Sequence, residues 1–242
     1  MPNLRLSVII PAYNEEKRIG PTLQSIDGYL KKQNFRYEIL VVANNCTDKT
    51  DEVVRKYQSS IAALKLIDLG PGCPGKGCAV RIGVEKAQGE FIVFMDADNS
   101  TRIFEIDDFW TYFDQGFDVI IGSRDVSGAR VRVRQPWYRE LFGKLGNLLI
   151  QVILLPGIRD TQCGFKAFTK KAAKKIFAKQ KISGWGFDIE LLALARKFGY
   201  KIKEAPITWY NVPDSRVSFL SYLETLKELV QIRWWLWRGE YD

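Results

Sequence analysis

The sequence predicts an α/β fold, a single domain built on a mainly parallel sheet with helices on both faces. Three observations point there. Short apolar, β-branched runs alternate with longer amphipathic ones, the pattern of strands joined by crossover helices. No internal repeat, low-complexity segment or long linker divides the 242 residues. The hydrophobic fraction, 46%, is enough for one sizeable core.

The elements follow in order. Arg5–Ile10 is the first expected strand, an apolar run with Val8, Ile9 and Ile10 together. A helix is expected over Glu16–Lys32, with Glu15 before it as a favourable cap. Glu38–Ala43 reads as the second strand, and Lys49–Ser59 as a helix opened by Asp48. Leu64–Leu69 is the third strand and Lys76–Gln88 the next helix. Phe91–Met95, five apolar residues, reads as a short buried strand. Then come a helix over Glu105–Gln115, a strand over Asp118–Ile121 and a helix over Trp137–Leu154. The last of these repeats Leu141, Leu145, Leu148, Leu149 and Val152. Helices follow over Lys170–Ala178 and Phe187–Phe198. In the second, Phe187, Leu191, Leu194, Ala195 and Phe198 keep helical spacing and Gly199 ends it. Lys203–Ile207 is the final strand and Phe219–Trp237 the final helix.

Composition narrows the partners. Lys and Arg number 36 against 28 Asp and Glu, a formal charge of +8. That favours nucleotides, phosphates, nucleic acid or an anionic membrane face. Histidine is absent, which removes the commonest general base and transition-metal ligand. Cys46, Cys73, Cys78 and Cys163 form no paired CxxC. They argue against zinc and are expected as reduced thiols of a cytosolic protein. No signal-peptide pattern opens the chain. The longest nearly apolar run, Leu148–Pro156, contains Gln151 and is about half the ~20 residues of a spanning helix. The expectation is a cytoplasmic protein, soluble or peripheral on the cytoplasmic membrane face.

Asp96-Ala97-Asp98 closes the apolar strand. Residues two apart in extended chain point the same way, so both carboxylates can face one spot. They repel unless a cation lies between them, and hard oxygen ligands suit Mg2+ or Mn2+ holding a diphosphate. A solvated turn would use the same residue types. Three other strand-to-helix loops decide between the readings: Pro11–Glu16, Asn44–Asp48 and Gly70–Gly77. In a parallel sheet all four gather at one edge. An aromatic ring (Tyr13), amides (Asn44, Asn45), a cation (Lys76) and the acid pair would meet there. That inventory suits a nucleoside diphosphate.

Gly70, Gly72 and Gly75 match GxGxxG by letter, and Gly70–Lys76 match the opening of a Walker A loop. Gly77, however, stands where that loop needs Ser or Thr for Mg2+. The loop also follows the third strand, and Pro71 and Pro74 remove amides that would cradle phosphate. A P-loop NTPase or dinucleotide fold is therefore not expected.

The ordered motifs resemble a known family. Val8-Ile9-Ile10-Pro11-Ala12-Tyr13-Asn14-Glu15-Glu16, the Gly75-Lys76-Gly77 turn with Ala79-Val80-Arg81, and Asp96-Ala97-Asp98 are similar to family-2 glycosyltransferases of the Rossmann-like GT-A fold. Gly122-Ser123-Arg124, Asp160-Thr161-Gln162-Cys163-Gly164-Phe165-Lys166 and Gly184-Trp185-Gly186-Phe187-Asp188-Ile189-Glu190-Leu191 narrow the resemblance to the polyprenyl-phosphate (dolichyl-phosphate) gluco- and mannosyltransferases, the glucosyl branch foremost. It runs from about Leu6 to Phe219. The resemblance implies a nucleotide-sugar donor (UDP-glucose or GDP-mannose), a divalent ion, inversion at the anomeric carbon and a lipid-phosphate acceptor. Residue by residue, it implies that Pro11, Tyr13 and Glu15 bind donor and that Asp96 and Asp98 hold the metal and diphosphate; Asn44 and Lys76, read from their own loops, are the further expected donor contacts. Arg124, Arg139 and Arg216 match positions near the donor diphosphate or the acceptor phosphate. Asp98, Arg124 and Asp188 are the expected catalytic residues. The division is then a donor half over 1–123, an acceptor half over 124–218 and a C-terminal aromatic helix over 219–242.

One departure bears on the donor. The family's second loop usually reads Asp-Asp-Gly-Ser, where this chain has Ala43, Asn44, Asn45 and Cys46. Asn44 can still accept a hydrogen bond from a base, but without charge. Asn45, in a glycine's place, is expected at positive φ, which Asn tolerates. The choice between uracil and guanine stays open.

Chemistry without histidine favours a particular acceptor. A hydroxyl needs a base, whereas a phosphate monoester, with a second pKa of about 6, is already largely ionised at pH 7. Asp188 could face sugar hydroxyls or serve as a base, while Glu190 suits the helix dipole. Arg124, Arg130, Arg132, Arg134 and Arg139 form a basic run that can grip phosphate or anionic headgroups. No aromatic-interleaved recognition motif accompanies it, so nucleic acid is not the expected partner. Arg233-Trp234-Trp235-Leu236-Trp237-Arg238 suits a headgroup interface, although a helix packed on the domain would also read this way. The alternatives are transfer to a soluble hydroxyl or small phosphorylated acceptor, and a nucleotide-sugar- or RNA-binding protein without turnover.

Overall fold

A computed structural model describes residues 4–133, 137–212 and 219–242. In chain order the elements are β1 (Leu4–Ala12), α1 (Ile19–Leu30), β2 (Arg36–Ala43), α2 (Thr50–Gln58), β3 (Leu64–Asp68), α3 (Gly75–Lys86), β4 (Phe91–Met95), α4 (Ile106–Asp114), β5 (Val119–Ser123), β6 (Arg130–Val133), α5 (Trp137–Ile153), β7 (Phe165–Thr169), α6 (Lys170–Lys179), α7 (Phe187–Lys197), β8 (Ile202–Pro206), β9 (Thr208–Tyr210) and α8 (Phe219–Trp237). Short 3-10 turns cover Gly70–Gly72 and Ile103–Glu105.

Seven strands form one sheet in the order β3-β2-β1-β4-β7-β5-β8. All neighbours run parallel except β7, which is antiparallel to both β4 and β5. Side chains alternate across the sheet. Leu6, Val8 and Ile10 join one core with Ile19, Leu23, Val54 and Phe109 of α1, α2 and α4. Ile9 faces the other core with Val80, Ile176, Phe187 and Leu191 of α3, α6 and α7. Helices therefore cover both faces, and the strands read as apolar runs because both sides are buried.

The topology sets the site. The chain leaves β1 for β2 on one side, and β4 pairs on the other. Ligands bind at such a switch point, beyond the carboxyl ends of the strands. Register brings Ala12, Ala43 and Asp68 level at that edge. Because β7 is antiparallel, its start, Phe165, lies opposite Met95 at the same edge. The carboxyl ends of β5 and β8 arrive there too, with Ser123 paired to Pro206.

The structure differs from the sequence reading in three places, and the first two have a plain physical cause. Helix α1 begins at Ile19 rather than Glu16, because the Glu15 carbonyl accepts from the amides of both Arg18 and Ile19 in a tight turn. Pro21 then falls in the first turn, where it needs no amide partner. Strand β7 was not expected: its five residues include Lys166, and only insertion between two other strands makes them a ladder. Strands β6 and β9 pair in a separate two-stranded sheet, and Thr101 bridges to Trp209, tying the latter to the loop after β4.

Candidate active site

Asp96 and Asp98 leave the end of β4 with the intervening Ala97 buried. Asn99 turns the chain at φ 58°, and the Asp98 carboxylate accepts from the Ser100 amide at 2.9 Å. Burial, and next the Asp96 charge, raise the Asp98 pKa above the ordinary carboxylate range. Lys76, in the first turn of α3, donates to Asp96 Oδ1 at 2.5 Å. Burial alone would lower its pKa, but Asp96 and then Asp188 outweigh it and hold the ammonium above the usual lysine range. Gly164, just before β7, lies against Asp96: a Cβ there would run into the carboxylate.

Asp188, in the first turn of α7, is buried and accepts from Lys166 Nζ at 2.5 Å. Lys166 is fully buried on β7, donates also to the Cys163 carbonyl and stands over the Phe94 ring. A charge this deep needs such partners. Burial raises the Asp188 pKa, opposed first by Lys166 and then by Lys76. Asp188, Lys166, Lys76, Asp96 and Asp98 are thus one alternating cluster of charge at the sheet edge.

The loops after β1 and β2 close the other side. Asn44 is only 6% exposed. Its amide nitrogen donates to the Gly75 carbonyl at 3.1 Å, and among the described residues its Oδ1 accepts nothing. Asn45 sits at φ 55°, as an Asn in a glycine's place was expected to. Tyr13 is half-exposed and Pro11 partly buried beside them. The Glu15 carboxylate is held by the Arg18 guanidinium through bonds of 2.6 and 2.8 Å. Asp48 accepts from Thr50 and from the Glu16 amide, pinning the two loops together.

Arg124 follows β5. Its Nε and a terminal nitrogen grip the fully buried Asp160 at 2.7 and 2.8 Å, and its backbone amide adds a third bond at 2.9 Å. The guanidinium also stands over the Trp209 ring, 5.3 Å from its centroid. Arg130 and Arg132 lie exposed on β6. Arg216 lies outside the described residues; Arg139 falls on α5, with its side chain outside them.

The thiol expectation is corrected in part. Cys73 and Cys78 are joined in a disulfide with Cα atoms 5.8 Å apart, and Cys46 and Cys163 are free. The 3-10 turn folds back on the start of α3 and brings together two cysteines that spacing alone leaves unpaired. Sequence reasoning assigned no role to Lys166 or Asp160. A lysine inside an apolar run marks the first; Asp160 carries no such mark.

The seven-stranded sheet, with the acid pair at its switch-point edge, is the architecture of the GT-A fold class. Among solved structures, the glucosyl-3-phosphoglycerate synthase of Mycobacterium tuberculosis, crystallised with Mn2+, uridine diphosphate and phosphoglyceric acid, has the same fold. It superposes with a TM-score of 0.71 at 18% identity, over 95% of this chain and 78% of that one. The chain belongs to glycosyl transferase family 2, whose pattern residues 7–177 match. A dolichyl-phosphate beta-glucosyltransferase of Trichomonas vaginalis is 32% identical over 96% of this chain and 73% of that protein. The human dolichyl-phosphate beta-glucosyltransferase is 33% identical over 96% of this chain and 76% of its own length.

Proposed function

We propose that the chain moves glucose, with inversion, from a nucleoside-diphosphate donor to a polyprenyl phosphate of the dolichyl type. The observation that carries this is the charge cluster of Lys76, Asp96, Asp98, Asp188 and Lys166 at the switch-point edge. The acceptor class comes from the relatives, which are named for dolichyl phosphate.

Asp96 and Asp98 are the residues that would hold a divalent ion, Mg2+ or Mn2+. Burial first, and the neighbouring Asp96 second, disfavour the Asp98 carboxylate, and an ion between the two acids would offset both. Among the described residues no third acid or cysteine completes a metal cage. Two hard oxygens and open positions suit an ion shared with a diphosphate. When bound, the ion would neutralise charge on the leaving nucleoside diphosphate. Lys76 would shift from Asp96 toward the diphosphate and add a second positive charge there. Asn44 Oδ1, buried and without a partner among the described residues, would accept an N–H of the base. An ionised acceptor phosphate needs no proton removed. Asp188, paired with Lys166, then serves to orient Lys76 and sugar hydroxyls. Arg124 stays locked on Asp160 and presents its outer edge, beside Trp209, to phosphate.

Among the described residues no helix is long and apolar enough to cross a membrane. Helix α5 exposes Leu141, Leu145, Leu148, Leu149 and Val152, all on one face, with Ile150 buried opposite. Helix α8 packs against α5 and exposes Leu220, Leu223, Leu226, Val230, Trp234 and Trp237. Apolar faces rimmed by Arg233, Arg238 and Lys144 fit a peripheral site on an anionic lipid surface, where the acceptor resides.

The test is a matrix of UDP- and GDP-sugars against short polyprenyl phosphates with Mg2+ or Mn2+, read as radiolabel entering the organic phase. Transfer from UDP-glucose is expected. Transfer only from GDP-mannose, or only to soluble acceptors, would overturn the reading.

A further inference from the structure

Helix α8 turns two faces to two different tasks. Its exposed ridge of Leu223, Val230, Trp234 and Trp237 lies on one side. At 100° per residue, Glu228 falls on the opposite side, with the buried Ser221 and Ile232. There Glu228 Oε2 accepts from the Gly186 amide at 2.6 Å. Gly186 is the N-cap of α7 and has no side-chain cap of its own. The carboxylate lies close against Gly184 and Gly186, where an added Cβ would press on it and force it to shift. A carboxylate on the first amides of a helix both satisfies an orphan donor and complements the dipole. Asp188 stands two residues further on.

The same loop is fastened from its other end to the diphosphate side of the site. The Gly77 amide donates to the Ser183 carbonyl at 2.9 Å, and Gln180 donates to the Gly77 carbonyl at 3.0 Å. Gly77 is the neighbour of Lys76. Glu190, fully buried, accepts from the amides of Lys181 and Ile182 and from the Tyr241 hydroxyl. Residues 180–186 therefore form a brace between α8 and the start of α3, with Asp188 and Lys76 at its two outlets.

We propose that Glu228 is a positioning residue: from α8 it fixes the Gly184–Gly186 loop and the first turn of α7, and so sets Asp188 and Lys76 for transfer. This rests on the reading of the site given above. It makes the helix with the exposed apolar ridge a structural part of the reaction centre.

E228Q keeps an oxygen acceptor for the Gly186 amide, whereas E228L keeps bulk without one. Steady-state transfer, thermal melting and amide hydrogen exchange over residues 186–190 are measured for both. Expected for E228L is a kcat lower by about 10-fold or more, with a smaller rise in the donor KM as Lys76 loses its support, since a small misplacement is costly to turnover. Its melting temperature should fall by only a few degrees, the cost of one orphaned amide, with exchange at 186–190 selectively faster. E228Q should restore kcat and protection to within about 3-fold. Wild-type kcat and exchange in E228L, or equal loss in both variants, would overturn the proposal. If the wild type transfers no glucose, the functional reading fails, and the exchange data still decide whether Glu228 holds α7.

Discussion

Lys76 Nζ stands 2.5 Å from Asp96 Oδ1, so a lysine of the protein's own already answers the first acid of the pair. A divalent ion must share or displace that contact, while a diphosphate would draw the lysine away. Lys76→Met should therefore leave Mn2+ binding without nucleotide unchanged or tighter, and weaken donor binding by about 10- to 100-fold, the worth of a hydrogen bond to a charged group. Calorimetry with Mn2+ alone and then with nucleotide separates the two effects. Parallel weakening of both would show that Lys76 does not compete for Asp96.

Asp98→Asn tests the second acid. The substitution keeps shape and removes the charge that the ion would meet. Transfer with saturating Mg2+ or Mn2+ should fall by about 100-fold or more. Near wild-type transfer would remove Asp98 from the site.

Gly164→Ala tests the packing beneath the pair. Its methyl would collide with the Asp96 carboxylate, so the acid must move. Overpacking costs about 1–3 kcal/mol. The expected result is a loss of turnover exceeding what the fall in melting temperature accounts for. A stable variant with full activity would show that Asp96 has room to spare.

Asp160 gives the acid dependence a sign. Burial alone would raise its pKa, but the Arg124 guanidinium and its hydrogen bonds outweigh that and hold the carboxyl below its ordinary value. A depressed folded-state pKa stabilises the fold above the unfolded value of about 4 and ceases to do so as pH falls through the folded value. Asp160→Asn should cost about 3 kcal/mol near neutral pH and flatten the fall in stability below about pH 4. Urea titrations over a pH series measure both, and an unchanged acid slope would contradict the assignment.

The exposed helix faces make a membrane prediction. Val152 is 77% and Trp237 74% exposed. A charge at either position should lower co-sedimentation with anionic liposomes by about 10-fold, since each buried apolar side chain is worth about 1.5–3 kcal/mol. Val152→Glu and Trp237→Glu serve better than removal of residues 233–242, because Tyr241 is buried on Glu190 and its loss would disturb α7. Liposome binding that survives both charges would place the lipid contact elsewhere.

The amino-acid sequence by itself determined the alternation of strands and helices, the loops that share one edge, and the Asp96/Asp98 pair at the end of a buried strand. These are local facts: burial on both faces makes a strand an unbroken apolar run, and a helix keeps its period in its own residues. Family membership was legible for the same reason, since its motifs are short and ordered. The tertiary structure alone decided which charges meet. Lys166 and Asp188 lie 22 residues apart, on a strand and a helix, and join because β7 enters the sheet antiparallel, between β4 and β5. Arg124 looked like a hand for phosphate, and only folding gave it Asp160 as a fixed partner. Cys73 and Cys78, five residues apart, are the local exception: they pair because the turn between them folds back on α3, which their spacing did not announce. Glu228 reads as one more polar residue of an amphipathic helix until α8 packs and its carboxylate reaches the Gly186 amide. Periodicity records which face of an element is buried, whereas the partner of a buried charge is set by long-range packing that no local window contains.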